Sequence, residues 1–169
     1  MSKKIILMFL TLALVICVCS SPLMAADNTY SVDINGVTFN IPDNYHEDEE
    51  MGLAEDGSVI GNDLEGHPCY YIGKVYTDGK NAISISTSSS YGDPFTAEDI
   101  LDFSGDAKEK TIAGKKGEFY QYSPEELKME NEYSTYKADS LVTFRYVDNG
   151  VCVMIEADSV KTIENVIGA

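Results

Sequence analysis

Residues 142–157 read Val142-Thr143-Phe144-Arg145-Tyr146-Val147-Asp148-Asn149-Gly150-Val151-Cys152-Val153-Met154-Ile155-Glu156-Ala157. Asn-Gly between two alternating apolar runs is the strongest short-range signal for a β-hairpin, because a two-residue turn of the right twist needs positive φ at both positions. A two-residue turn at Asn149-Gly150 pairs Tyr146 with Val153, Phe144 with Ile155 and Val142 with Ala157, so one face is wholly apolar. The reverse face sets Val147 against Cys152, Arg145 against Met154 and Thr143 against Glu156. A mixed second face places this hairpin inside a sheet, with partial cover on both sides. Val160, Ile163, Val166 and Ile167 then follow at helical spacing, which predicts a helix from Asp158 or Ser159 to Ile167 docked on the sheet.

The same arithmetic holds towards the N-terminus. Around Asn35-Gly36, Ile34 pairs with Val37, Val32 with Phe39 and Tyr30 with Ile41, while Asp33, Thr38, Ser31 and Asn40 share the other face. Turn and register agree. Asp78-Gly79 predicts a third hairpin, Cys69–Tyr76 with Asn81–Thr87, in which Ile72 meets Ile85 and Lys74 meets Ile83. A fourth pair joins Lys110–Ile112 to Gly117–Tyr122 through Ala113-Gly114-Lys115-Lys116. Thr96-x-x-Asp99 and Ser123-Pro124-Glu125-Glu126 carry the cap-plus-acid signature of helix starts. The second soon turns polar and is expected to be a single helical turn. The fold class is therefore α+β: an antiparallel β-sheet of hairpins packed with short helices, with the C-terminal helix on the sheet.

Of 169 residues, 44% are hydrophobic, which is too apolar for a disordered acidic tail, and the length suits one compact domain. With 28 acids against 12 Lys plus Arg, the net charge is −16. Such a chain lacks the cation clusters that nucleic acid and anionic membrane surfaces require. The N-terminus reads as an export signal: Lys3 and Lys4, the apolar run Ile5–Val18 broken only by Thr11, then Cys19-Ser20-Ser21-Pro22 and Leu23-Met24-Ala25-Ala26. The expected organisation is a signal peptide over 1–26 and a secreted or cell-surface domain over 27–169. An uncleaved membrane anchor is the alternative, although the apolar run is shorter than the ~20 residues that span a bilayer. Without residues 1–26 the charge is −18, and Cys69 and Cys152 are the two cysteines left. In an exported chain this pair is a disulfide candidate; two separate buried thiols are the alternative.

The stretch 43–67 holds nine acids, four Gly and no Lys or Arg, with His46 and His67 near its ends. A metal would find His46, Glu47, Asp48, Glu49 and Glu50 there, or Asp56, Asp63 and Glu65 as Ca²⁺ ligands. Asp56-Gly57-Ser58-Val59-Ile60 lacks the alternating acids that point ligands inward, so a solvated loop is the default and no metal or cofactor is assigned. His67-Pro68-Cys69 is too extended for a Cys–His catalytic pair, and no hydrolase, zinc, P-loop or dinucleotide motif occurs. Eleven Tyr accompany no Trp. Tyr70, Tyr71, Tyr76, Tyr120, Tyr122 and Tyr146 fall on predicted strands, where sheet packing is the default. Tyr91, Tyr133 and Tyr136 fall in loops and are the candidate contact surface. Arg145, the one arginine, is expected to pair with Glu156 on the cross-strand diagonal.

Val37-Thr38-Phe39-Asn40-Ile41-Pro42-Asp43-Asn44-Tyr45 resembles the opening strand of the PsbP-like fold, and Thr111-Ile112-Ala113-Gly114-Lys115-Lys116-Gly117 is similar to its mid-chain strand and Gly-rich turn. Val142–Ala157 with Val160–Ile167 resembles its closing hairpin and helix. The resemblance covers residues 30–167 in element order. It implies an α/β/α sandwich used for binding other macromolecules, and it carries no functional residue onto this chain. The function expected is a secreted or surface-associated, non-catalytic binding or accessory domain, its partner a protein or cell-envelope component. The alternatives are a Ca²⁺-stabilised envelope protein using the 43–67 loop and, third, a carboxylate-dependent hydrolase.

Overall fold

A computed structural model describes residues 28–52, 59–62, 68–100 and 106–168. The signal-peptide expectation, His67 and the Ca²⁺ candidates Asp56, Asp63 and Glu65 lie outside the described residues. The architecture is α+β, with antiparallel pairing throughout. β1 (Thr29–Ile34) and β2 (Val37–Pro42) form a two-stranded sheet. The main sheet contains β3 (His46–Glu47), β4 (Val59–Asn62), β5 (Pro68–Thr77), β6 (Ala82–Ser90), β7 (Lys108–Ile112), β8 (Lys115–Gln121), β9 (Val142–Asp148) and β10 (Val151–Ala157). Its order is β3-β5-β6-β10-β9-β8-β7, with β4 also paired to β5. Among the described residues the helices are α1 (Ala97–Ile100), α2 (Pro124–Tyr133) and α3 (Val160–Ile167).

Both Asn-Gly turns form as expected. Asn35 and Gly36 have φ of 56° and 78°, Asn149 and Gly150 of 50° and 80°, and the registers are Ile34↔Val37 and Tyr146↔Val153. β9 and β10 lie at the centre of the main sheet. Their apolar face, with Ile83 and Ile85 of β6, forms one floor of the core. The β1–β2 hairpin supplies Ile34, Val37, Phe39 and Ile41 from above, and α3 adds Ile163 and Val166, both 0% exposed. Complete burial of side chains this size stabilises by roughly 1.5–3 kcal/mol each. Ser159 caps α3 by accepting the Thr162 amide at 3.2 Å.

Three local expectations are corrected. At the β5–β6 connection Ile72 faces Thr87, Lys74 faces Ile85 and Tyr76 faces Ile83. The loop has four residues, because the Asp78 carboxylate accepts the amides of Lys80 at 2.8 Å and Asn81 at 2.7 Å and widens the turn. The register slips by two, so no side chain changes face. The β7–β8 turn is tighter than expected: Ala113 and Gly114 alone make it, with φ of 46° and 75°, and Ile112 pairs with Lys115. α2 runs for ten residues rather than one turn. A full capping box at Ser123 and Glu126 starts it, with Pro124 in the first turn.

Candidate functional site

The second face of the main sheet carries the chemistry. Because strands alternate in and out, the residues opposite the core line up in rows across the sheet. One row runs Glu118, Arg145, Met154, Ser86, Gly73 from β8 to β5. The next runs Tyr120, Thr143, Glu156, Ser84, Val75. A third contains Val147, Cys152, Ser88 and Tyr71. Gly73 and the serines place the smallest side chains on β5 and β6, where Tyr71 lies and donates its hydroxyl to Ser86 at 2.7 Å.

One glycine sets the spacing at the β8 side. A Cβ at Gly117 would lie 2.1 Å from the Arg145 carbonyl oxygen and 2.9 Å from the Tyr146 Cβ. The bare backbone lets β8 close on β9 with Glu118 opposite Arg145. The Arg145 guanidinium donates to Glu118 Oε2, from Nε at 3.1 Å and also from its terminal NH2 group. Glu118 is only 7% exposed, so its charge is met directly by this neighbour. The expected Arg145–Glu156 diagonal is therefore corrected. The residue straight across a ladder is closer than the diagonal one, and Glu156 instead accepts from Tyr122 Oη at 3.1 Å.

Burial pushes the Glu156 carboxyl above its usual range; the Tyr122 hydrogen bond opposes this and the Glu130 charge adds to it. Tyr122 is pushed up to about 12, first by burial and then by the Glu156 charge. Tyr120 reaches about 12 chiefly because its hydroxyl is bonded to Glu126. The Cys152 thiol is pushed up by burial, against the lowering influence of Arg145. A thiol held protonated is a poor nucleophile.

Among the described residues, two clefts open on this face and meet at Glu156. The first, about 300 Å³, is walled by Glu118, Arg145, Tyr120, Tyr122, Thr143 and Met154, with Ala107 at its rim. The second, about 350 Å³, lies between α2 with its following loop and the ends of β5, β6 and β10. α2 buries none of its own residues. Its side of the cleft is held by polar ties: Tyr136 Oη to Asp48 at 2.5 Å, and Asn131 to both the amide and the carbonyl of Ala138 at 2.9 and 2.8 Å. Met154 is 37% exposed, so a large apolar side chain stands open amid these groups.

The three candidate contact tyrosines lie at two separate places. Tyr91 packs on Tyr70 with ring centroids 4.2 Å apart, beyond the end of β6, whereas Tyr133 and Tyr136 line the second cleft near its start. The nine residues of β6 lie between, about 30 Å at strand rise. Tyr133 is 86% exposed, and Tyr136 is half-buried and committed to Asp48. The disulfide expectation is also corrected. Cys69 pairs with Ser90 and Cys152 with Ser88, on strands flanking β6. Two strand spacings put the Cα atoms at least ~9.5 Å apart, past the ~7 Å limit of a bridge, and the two are not joined.

In the acidic stretch, His46 pairs with Thr77 on β3, Glu47 accepts Lys74 Nζ at 2.8 Å, and Asp48 is held below the usual carboxylate range first by the Tyr136 hydrogen bond. Among the described residues no three of His, Cys, Asp and Glu converge as a metal site. No described helix is long and apolar enough to cross a membrane. Glu118, Tyr120, Tyr122, Met154 and Glu156 were not singled out as site residues by sequence. The available signal was the mixed reverse face of β9 and β10. No family model, curated protein or solved structure matches this chain.

Proposed function

We propose that this chain is a secreted or cell-surface-associated, non-catalytic binding domain, of PsbP-like α/β/α arrangement, that holds a protein or cell-envelope component on the second face of its main sheet. The observation that carries this reading is the exposed Met154 at the end of the row Glu118–Arg145–Met154, beside Tyr120, Tyr122 and Glu156. An apolar side chain ringed by fixed polar groups and aromatic hydroxyls is the make-up of a contact patch. The polar groups are held by one another: Arg145 with Glu118, Tyr122 with Glu156, Tyr120 with Glu126. Such groups present a preorganised surface. Binding is favoured over hydrolysis because Cys152 is held as a thiol and each of these carboxylates is engaged with a neighbour.

The test is capture of envelope components by the immobilised protein. Met154→Asp removes the apolar centre, and Thr38→Asp changes an exposed residue of the β1–β2 hairpin. The reading expects the retained species to be lost with Met154→Asp and kept with Thr38→Asp. Equal retention by both variants would refute it.

A further inference from the structure

The second cleft has a chemistry that specifies its ligand. Its walls are apolar and aromatic: Met51, Val75, Leu141 and Tyr133. Three carboxylates, Glu130, Glu156 and Asp158, also line it. None of the three takes part in an ion pair among the described residues. The one lysine at the cleft, Lys137, spends its ammonium on the carbonyls of Asn131 and Ser134 at the end of α2, 2.6 Å from the latter. The protein's own cation thus caps a helix and leaves the cleft's charge unmatched.

A bare metal ion suits this cavity poorly. Its carboxylates are spread along an apolar wall and do not converge, and hard cations require several oxygens at once. A cation on a hydrocarbon stem matches both parts, the methylenes against the apolar wall and the charge at the carboxylates and tyrosine rim. The volume, about 350 Å³, is that of a small-ligand pocket. The roof is α2 and its loop: the helix buries nothing, Asn131 pins the loop to it at Ala138, and Tyr136 ties the loop across the gap to Asp48. These ties build a roof over a space rather than fill a core.

We propose that the cleft between α2 and the ends of β5, β6 and β10 binds an alkylammonium group, with Glu156 at its inner end receiving the charge. This rests on the reading of the second sheet face as a binding surface and names the chemistry bound at its far end. The alkylammonium belongs either to a free diamine or to a lysine side chain.

The experiment is calorimetric titration of the purified protein with cadaverine and, separately, with lysine blocked at both its amino and carboxyl groups on the main chain. A neutral diol of cadaverine's length and calcium chloride serve as comparisons. Saturable heat is expected for at least one ammonium probe and for neither comparison. Glu156→Gln should weaken binding about tenfold, the equivalent of ~1.4 kcal/mol. Because Gln keeps the shape and can still accept from Tyr122, a single cooperative melting transition at or above the parent's identifies a folded variant; if it is unfolded, Glu130→Gln replaces it with the same expectation. Binding of cadaverine alone identifies a small-molecule source, and binding of blocked lysine alone a protein source. Silence with both probes, equal binding of the diol, or displacement by calcium overturns the proposal. Those results leave the envelope-capture test untouched, so the failure of this inference and of the broader reading are told apart.

Discussion

Gly117→Ala is the sharpest perturbation that the fold permits. Gly117 is buried on β8 opposite Tyr146, and its φ is not in the left-handed region, so alanine meets a purely steric cost. The added Cβ would lie 2.1 Å from the Arg145 carbonyl oxygen, where ordinary contact begins at 3.4 Å. β8 must withdraw from β9 by about 1.3 Å. Ladder bonds of ~2.9 Å cannot survive that displacement. Each one lost costs ~1 kcal/mol, and overpacking adds ~1–3 kcal/mol. Lower unfolded-state entropy returns about 0.4–1 kcal/mol. The net expectation is a loss of about 3 kcal/mol, or roughly 6–12 °C of Tm for a chain this size. Gly52→Ala is the matched control, because its Cβ would meet nothing closer than 3.6 Å. Urea unfolding of both variants measures the difference, and amide exchange should show protection lost first along β8 and β9. Equal stability of the two variants would refute the close approach that sets Glu118 against Arg145.

Ala113→Gly should stabilise by up to about 1 kcal/mol in thermal melts, since a non-glycine residue at φ 46° carries the left-handed penalty; a loss would contradict that turn. For Glu156, burial raises the folded carboxyl above its ordinary value, so the stability linked to its proton is full below that ordinary value and is lost as pH rises through the raised one. Glu156→Gln should therefore gain on the parent protein as the pH rises above the ordinary carboxylate value; a gap that does not change with pH would count against a buried carboxyl. Peptide mapping of the unreduced chain should find no link between Cys69 and Cys152, because β6 separates their strands; recovery of that linked peptide would overturn the order β5-β6-β10.

The hairpins were legible where turn chemistry and alternation pointed the same way. Asn35-Gly36 and Asn149-Gly150 specified both their turns and their registers, and the stripe through Ile163 and Val166 specified the buried side of α3. The β5–β6 loop departs from its apolar alternation because Asp78 bonds forward to two amides, a choice that no apolar period records. The site was half visible. Arg145, Met154, Thr143 and Glu156 could be placed on one face from the Asn149-Gly150 turn alone. Glu118, Tyr120 and Tyr122 could not, because their position depends on pairing β8 with β9 across 20 intervening residues, from Gln121 to Val142. That pairing is fixed by a steric fact at Gly117 rather than by local pattern. The cysteine pair misled for a similar reason: parity and compartment favour a bridge, but strand order decides the distance.

A photo-crosslinking side chain at Met154, with the same group at Thr38 as its counterpart on the β1–β2 hairpin, tests the binding face most directly. With the purified protein mixed with envelope extract, the account predicts adducts from position 154 and none from position 38. Adducts from position 38 alone would move the contact to the hairpin side and contradict it.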